Sequence, residues 1–514
     1  MLTKTFSSAV YGIDAATITV ETNTATAQEP KYFIVGLPDT AVKESMFRVE
    51  AALKNTGYRM PRMRIVVNLS PADIRKEGSA YDLPIALGIM GSSEQLMSTE
   101  KLAIHIIVGE LSLDGTLQPI KGALPIAIQA RAENFEGIIL PKQNAREAGI
   151  VNKLKVYGVE TLSEVVEFIN GNRELEQTII DTRKQFAEQQ EKLDIDFSEV
   201  KGQENIKRAL EIAAAGGHNA ILIGPPGAGK TMLAKRLPTI LPPLTLNEAL
   251  ETTKIHSVAG KIKDEGSLVS IRPFCSPHHT VSDVALVGGG GNPQPGEISL
   301  AHHGVLFLDE LPEFKRTVLE VMRQPMEERR VTISRARMSI EFPASFMMVA
   351  SMNPCPCGFR GDPKRNCNCS PIQVERYLSR ISGPLLDRID IHVEVPPVPF
   401  RELSNDKVGT NSQTMRECVI AARERQKHRF RETPGALNGT MAPRQIRSYC
   451  KLESDAESLL KAAMEEMGLS ARAHDKILRV SRTIADLDNS DSITAVHLSE
   501  AIGYRTLDRV YWAG

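Results

Sequence analysis

The chain is sparing with cysteine: 7 in 514 residues, four of them inside "CPCGFRGDPKRNCNC" at 355–369. An excess of charge of one sign is missing too, since 62 Lys+Arg face 63 Asp+Glu for a net charge of -1. That balance excludes a global electrostatic field for nucleic acid, so any such contact has to come from a local patch. No apolar run approaches the roughly 20 residues that span a bilayer, and no membrane partner is expected. The opening "MLTKTFSSAVYGIDAATITVET" lacks the apolar core of a signal peptide and reads as alternating strands. A cytoplasmic location is therefore expected, where disulfides rarely persist, and the clustered cysteines turn towards metal or free thiols. Internal repeats and low-complexity tracts are absent. The composition, 42% hydrophobic and 24% charged, is that of an ordinary globular protein of two or three domains.

Residues 1–169 mix strand-like runs ("MRIVVNLSP", "AIHIIVGELSLDG", "EGIILP", "LKVYGV") with helical stretches. Residues 170–195 carry many charges and glutamines with few apolar anchors and read as a solvated helical linker. Over 196–399 strands alternate with helices, which predicts a mostly parallel sheet covered by helices. Residues 400–514 read as helices alone. The expected class is α/β with a helical C-terminal domain.

"ILIGPPGAGKTMLAKRL" is an apolar strand, then G-x-x-x-x-G-K-T, then a helix. Gly224, Pro225, Pro226, Gly227, Ala228 and Gly229 form a loop whose glycines let successive N–H groups face phosphate oxygens. Lys230 reaches the β- and γ-phosphates, and Thr231 offers a hydroxyl to Mg²⁺, so ATP and Mg²⁺ are the expected ligands. "GVLFLDELPEF" is a buried strand ending in Asp309, for the Mg²⁺ shell, and Glu310, to polarise the attacking water. A third strand, "EFPASFMMVASMNP", is tipped by Asn353, which can orient that water. In "YLSRISGPLLDRIDIHVEV", Arg388 reads either as a local salt bridge beside Asp387 and Asp390 or as an arginine presented to the next subunit's ATP. Arg472 opens a helix further on.

This order resembles the AAA+ ATPases. The resemblance implies Walker A at Lys230 and Thr231, Walker B at Asp309 and Glu310, sensor 1 at Asn353, a finger at Arg388 and sensor 2 at Arg472 in a helical lid. It also implies rings, usually hexamers. "RPFCSPHHTVSDVALVGGGGNPQPGEISLAHHG" and "EERRVTISRARMSIEFP" look like the helix-2 insert and pre-sensor-1 hairpin of magnesium chelatase and replicative MCM helicases, which face the central channel. Gly289, Gly290, Arg335 and Arg337 are then the candidate DNA contacts; the plainer reading of the arginines is a solvated hairpin edge. His278, His279, His302 and His303 are taken as structural polar contacts rather than a metal site.

The N-terminal strings "IRKEGSAYDLPIALGIM" and "VGELSLDGTLQPIKGALPIAIQARAENFEGIILPKQNARE" resemble the Lon proteolytic domain, an S5-like α/β fold. The serine position of that family falls at Ala80, with Ser79 one residue early, and its lysine position at Leu124, with Lys121 offset by three. Neither side chain can act as nucleophile or base, so the fold is expected without the peptidase. P-loop, chelatase-type inserts and inactive Lon-like N-terminus, in that order, resemble the ComM/YifB family, labelled magnesium chelatase-like. The resemblance implies a homohexameric motor on single-stranded and branched DNA, working beside recombination proteins in natural transformation. A chelatase-type motor that drives Mg²⁺ into a porphyrin is the alternative.

Cys355, Cys357, Cys367 and Cys369 are spaced C-x-C, nine residues, C-x-C. Four thiolates suit one tetrahedral Zn²⁺ held for structure, while four free thiols or a redox pair is the competing reading.

Overall fold

The computed structural model describes residues 1–182, 184, 186, 195–262, 268–291, 293–335, 338–362, 365–399, 409–433 and 435–507. Contacts divide the chain into two units. The first comprises Met1–Gln189, Leu246–Val269 and Ala336–Phe342, and the second Gln190–Thr245, Ser270–Arg335 and Pro343–Gly514.

In the first unit, strands with alternating burial stand beside short strands buried throughout. These are β1 (Leu2–Tyr11), β2 (Asp14–Ala25), β3 (Lys31–Val35), β4 (Arg64–Ser70), β5 (His105–Ile107), β6 (Glu110–Leu111), β7 (Leu117–Gln118), β8 (Gly137–Pro141) and β9 (Lys155–Val159). Seven of them form one mixed sheet in the order β3-β4-β2-β1-β5-β8-β9. In β4, Ile65, Val67 and Leu69 are buried at every second position, the period of a half-covered strand. They pack with helices Thr40–Asn55 and Asp82–Ser92 in one apolar cluster. The helix Leu246–Val258 belongs to this unit: Lys254 pairs with Asp14 (2.9 Å), and Ser257 Oγ donates to the buried Glu147 carboxylate. The start of the expected helical linker is extended instead. Gln177 bridges Tyr157 of β9, and Thr178 N–H donates to Val156 O (2.8 Å), so free backbone groups at the sheet edge take up this segment.

The second unit is built on β10 (Ala220–Ile223), β11 (Phe274–Cys275), β12 (Gly288–Gly289), β13 (Gln294–Pro295), β14 (Val305–Leu308), β15 (Arg330–Arg335), β16 (Met338–Pro343, mostly counted with the first unit), β17 (Met347–Met352) and β18 (Ile391–Glu394). Its main sheet is wholly parallel, in the order β11-β14-β17-β10-β18. Strands covered on both faces must be apolar throughout, and the four residues of β10, the four of β14 and the six of β17 are all buried. Four long helices follow, Ser412–Arg429, Ser454–Met467, Ala471–Leu487 and Ala495–Gly503, as expected for a helical C-terminal part.

A buried ionic link ties the helix Ala471–Leu487 to the foot of β18. Asp390 receives His218 Nδ1 (3.1 Å) and faces Lys476 Nζ (3.8 Å), while His218 Nε2 meets Thr483 Oγ1 (2.8 Å). Burial raises the Asp390 pKa, but His218 and Lys476 overcome it and hold the carboxyl at about 2. The folded pKa is below the unfolded one, so this link stabilises above about pH 4 and is lost as pH falls towards 2. Asp390→Asn is expected to cost about 3–5 kcal/mol in denaturant unfolding at pH 7, because it leaves buried cations unanswered. The difference from the unchanged chain should shrink at pH 3; a constant difference would place the acid sensitivity elsewhere.

Candidate nucleotide-binding site

Parallel strands bring their C-terminal ends to one edge of the sheet, where ligands of such sheets bind. β10 ends there, and the chain turns through "GPPGAGKT" into the helix Lys230–Ile240. Gly227 and Gly229 adopt φ of +79° and +87°, and the outward side of Gly227 opens on empty space. Only glycine takes such angles without strain. Gly224 does something other than the expected phosphate contact. Its N–H donates to Met352 O (3.2 Å), and a Cβ there would stand 2.2 Å from Val395 O. Its smallness lets the sheet close above the strand, and its N–H is spent within the sheet.

Lys230 Nζ donates to Gly224 O (2.7 Å), Pro225 O (3.0 Å) and Asn353 Oδ1 (3.1 Å). All three acceptors are neutral. Burial pushes the Lys230 pKa down, and Asp309 and Glu310 oppose that shift without a hydrogen bond. A buried ammonium at a helix N-terminus, where the first N–H groups lack intrahelical partners, is a site built for an anion. Thr231 Oγ1 donates to Asp309 Oδ2 (2.7 Å). A hydroxyl and a carboxylate side by side are the hard oxygen donors that Mg²⁺ takes, and they fit it. The sheet thus joins Lys230, Thr231, Asp309 and Asn353, four residues spread over more than 120 positions.

Two further residues complete the cluster. Ser351 Oγ donates to Asp309 Oδ1 and accepts the Glu310 N–H (3.4 Å). Its sequence signal was available, since it stands two positions before Asn353, near the C-terminal end of β17. His279 Nδ1 lies 3.6 Å from Glu310 Oε2, and its ring packs against His278 (centroids 4.1 Å apart). The sequence placed His279 among structural contacts; its neighbour is decided by β11 running parallel beside β14, which no local pattern records. Glu310 itself sits at φ +54°, a left-handed backbone that costs a non-glycine residue about 1–2 kcal/mol.

The two arginines keep other company. Arg388 donates to Pro384 O and pairs with Glu327, with its side chain only 15% exposed; Arg472, 69% exposed, pairs with Asp387 (3.0 Å). Among the described residues, neither bonds to Lys230, Thr231, Asp309 or Asn353. Arg479 and Arg482 donate to backbone carbonyls at Met441 (2.6 Å) and Asp491 (2.7 Å). The glycine segment is a small antiparallel pair, Gly288 facing Pro295 and Gly289 facing Gln294, with Gly290 following at φ +103°. Arg337 lies outside the described residues, and so does the side chain of Arg335. His302 Nδ1 accepts the Ser345 N–H (2.9 Å).

The four clustered thiols converge: all four Sγ atoms lie within 4.8 Å of one another. Cys355 is 3.4 Å from Cys357 and 3.7 Å from Cys367, and Cys357 is 3.6 Å from Cys367. Backbone N–H groups of Phe359 and Asn368 hold the Cys357 thiol low, while burial pushes Cys355 up.

A parallel β11-β14-β17-β10-β18 sheet with a glycine loop and lysine after β10, an acidic pair after β14 and an asparagine after β17 defines a P-loop protein of the AAA+ class. The description "Magnesium chelatase, subunit ChlI" matches residues 196–403, "Subunit ChlI of Mg-chelatase" matches 20–144, and "Magnesium chelatase, subunit ChlI C-terminal" matches 409–505. The uncharacterised protein YifB of Escherichia coli K12 is 45% identical over 98% of this chain and 96% of its own. Competence protein ComM of Haemophilus influenzae is 44% identical over 98% and 97%. Lon protease 2 of Bacillus subtilis is 30% identical over 28% of this chain and 27% of its own. The chain belongs to the magnesium chelatase-like family of YifB and ComM, with a Lon-like N-terminal part.

Lys230→Ala removes the buried charge that waits for an anion. A hydrogen bond to a charged group is worth about 1.5–3 kcal/mol, so nucleotide affinity should fall by roughly ten- to a hundredfold. Titration with a fluorescent ATP analogue measures it; unchanged affinity would remove Lys230 from the site.

Proposed function

We propose that this protein is an ATP-driven, ring-shaped DNA motor, a helicase or branch-migration translocase that acts in homologous recombination, as during natural transformation. The observation that carries the reading is the 44% identity to a protein named for competence, joined to the Lys230–Asn353 and Thr231–Asp309 cluster. In this reading Lys230 and the backbone of Gly227–Gly229 bind the phosphates of ATP, and Thr231 and Asp309 hold Mg²⁺. The metal, when bound, neutralises charge on the phosphates. Glu310 takes the proton of the attacking water, and Asn353 orients that water. Arg388 serves the ATP of a neighbouring copy in a homohexamer, exchanging Glu327 for it, and Arg472 senses nucleotide from the helical lid. Arg335, Arg337, Gly289 and Gly290 grip single-stranded and branched DNA by its backbone, with little sequence preference. Zn²⁺ is bound for structure by the four clustered cysteines.

The Lon-like unit carries no peptidase in this reading. Leu124, at the lysine position, is fully buried and its N–H is committed to Glu147 Oε1 (2.9 Å), while Ala80 offers no nucleophile. The match of 196–403 to the chelatase subunit favours a second reading, a motor that remodels a partner for Mg²⁺ insertion into a porphyrin.

ATP hydrolysis measured with and without single-stranded and forked DNA separates the two. DNA should stimulate turnover; a rate indifferent to DNA would overturn the motor reading. Glu310→Gln should bind ATP yet lose about 10²–10⁴ of turnover, the usual contribution of a positioned base. For Arg388, mixing Arg388→Ala with Lys230→Ala subunits should recover part of the activity, because some interfaces regain one intact site. Mixtures that assemble but stay inactive would make Arg388 a local structural residue.

A further inference from the structure

Cys355 follows Asn353 by two residues, and Cys369 precedes the helix Pro371–Leu378 by two. Ser370 caps that helix, with its hydroxyl on the Gln373 N–H and the Gln373 side chain returning to the Ser370 N–H. From the same helix, Tyr377 is buried with its hydroxyl near the Asn353 backbone. The cysteine loop therefore leaves the sheet beside Asn353 and returns through a capped helix whose Tyr377 lies near Asn353.

The loop also touches the phosphate-binding turn. Gly358 stands at φ +84°, and a Cβ there would lie 2.6 Å from Pro226 Cδ and 3.8 Å from Asn353 Cγ. The backbone of the cysteine loop thus rests on the proline ring of the P-loop and beside the residue that accepts from Lys230. No larger residue fits between them. The sulfur geometry adds the second half. A tetrahedral ion with metal–sulfur bonds of about 2.3 Å places its sulfurs about 3.8 Å apart, whereas a disulfide needs about 2.05 Å. The observed separations of 3.4, 3.6 and 3.7 Å belong to the first case.

We propose that the cysteine loop is a zinc-held clamp on the P-loop, which sets Pro226 through Gly358 and so makes metal occupancy and nucleotide affinity depend on each other. The inference rests on the zinc and ATP sites of the preceding reading. Zn²⁺ with four thiolates has no open position for water, so its effect is to fix backbone. Without it, the two cysteine pairs are no longer tied together, Gly358 is freed beside Cys357, and Pro226 loses the surface that holds it. Binding is reciprocal by linkage: if the ion favours the nucleotide-competent loop, nucleotide favours the ion by the same factor. Gly358 and Pro226 are positioning residues here, since neither supplies a reacting atom.

The full chain loaded with Co²⁺ in place of Zn²⁺ provides the test, because thiolate-bound Co²⁺ has a visible spectrum that follows the geometry of its ligands. Saturating Mg·ADP, with binding confirmed by a fluorescent analogue, should shift that spectrum. The Pro226→Ala chain, brought to saturation in the same way, should lose most of the shift. In a second arm, chelator-stripped protein should bind the fluorescent nucleotide at least about tenfold more weakly, and Zn²⁺ but not added Mg²⁺ should restore it, about 1.4 kcal/mol of coupling. If stripping unfolds the chain, the cobalt arm alone decides. An unmoved cobalt spectrum at full nucleotide occupancy, or a shift of equal size in Pro226→Ala, overturns the clamp and leaves the zinc site standing. Four titratable thiols with no metal in the purified protein overturn the zinc reading itself, and failure of the nucleotide to bind at all overturns the ATP site.

Discussion

A buried ammonium that has found only neutral oxygens is the interaction on which the second unit turns. Lys230 reaches its place because β10 stands inside a parallel sheet, between β17 and β18, and the helix after it starts at the C-terminal ends of the strands. Burial disfavours its charge, and the carboxylates of Asp309 and Glu310 hold it only at range. Its three N–H donors are used, but its charge meets no bonded anion, which is the condition a phosphate relieves. Ser351, Asp309 and Asn353 are brought to it by strand register: Leu222 pairs with Ser351, Ile223 with Met352 and Leu308 with Ala350, so the strand tips come level, and the helix start adds Thr231.

Polar contacts at the other side of the unit are of a different kind. Asp486 receives two bonds from Arg429 (2.7 and 2.5 Å) and faces Arg482 (3.2 Å), while Asp390 is shared by His218 and Lys476. These groups are buried and answered, and they fasten helices to one another and to β18. The contrast between answered charge at the helices and unanswered charge at the strand tips separates structure from site more clearly than burial does.

The first unit keeps a large apolar core around a mixed sheet, with an ion pair of Arg48 bidentate on the buried Asp82 (2.7 and 2.9 Å). A fold does not by itself carry a function, so the Lon-like similarity of this chain bears on fold and defines no activity.

Much of this was legible in the chain itself. Continuous apolar runs marked β10, β14 and β17 as doubly covered strands, and the meeting of Lys230, Asp309 and Asn353 beyond their ends was readable because a parallel sheet must gather its strand ends. The C-terminal helices followed from their periodicity, and four cysteines in fifteen residues announced a common centre. Long-range neighbours were not legible. The contact of His279 with Glu310, the use of the Gly224 N–H by Met352, the pairing of Arg388 with Glu327 and the bridging of residues 177–178 to β9 all depend on which elements lie side by side. So does the seat of Gly358 on Pro226, which joins two loops more than 130 positions apart. Local sequence sets what a segment prefers and what chemistry its side chains carry; only packing in three dimensions decides which of those chemistries meet.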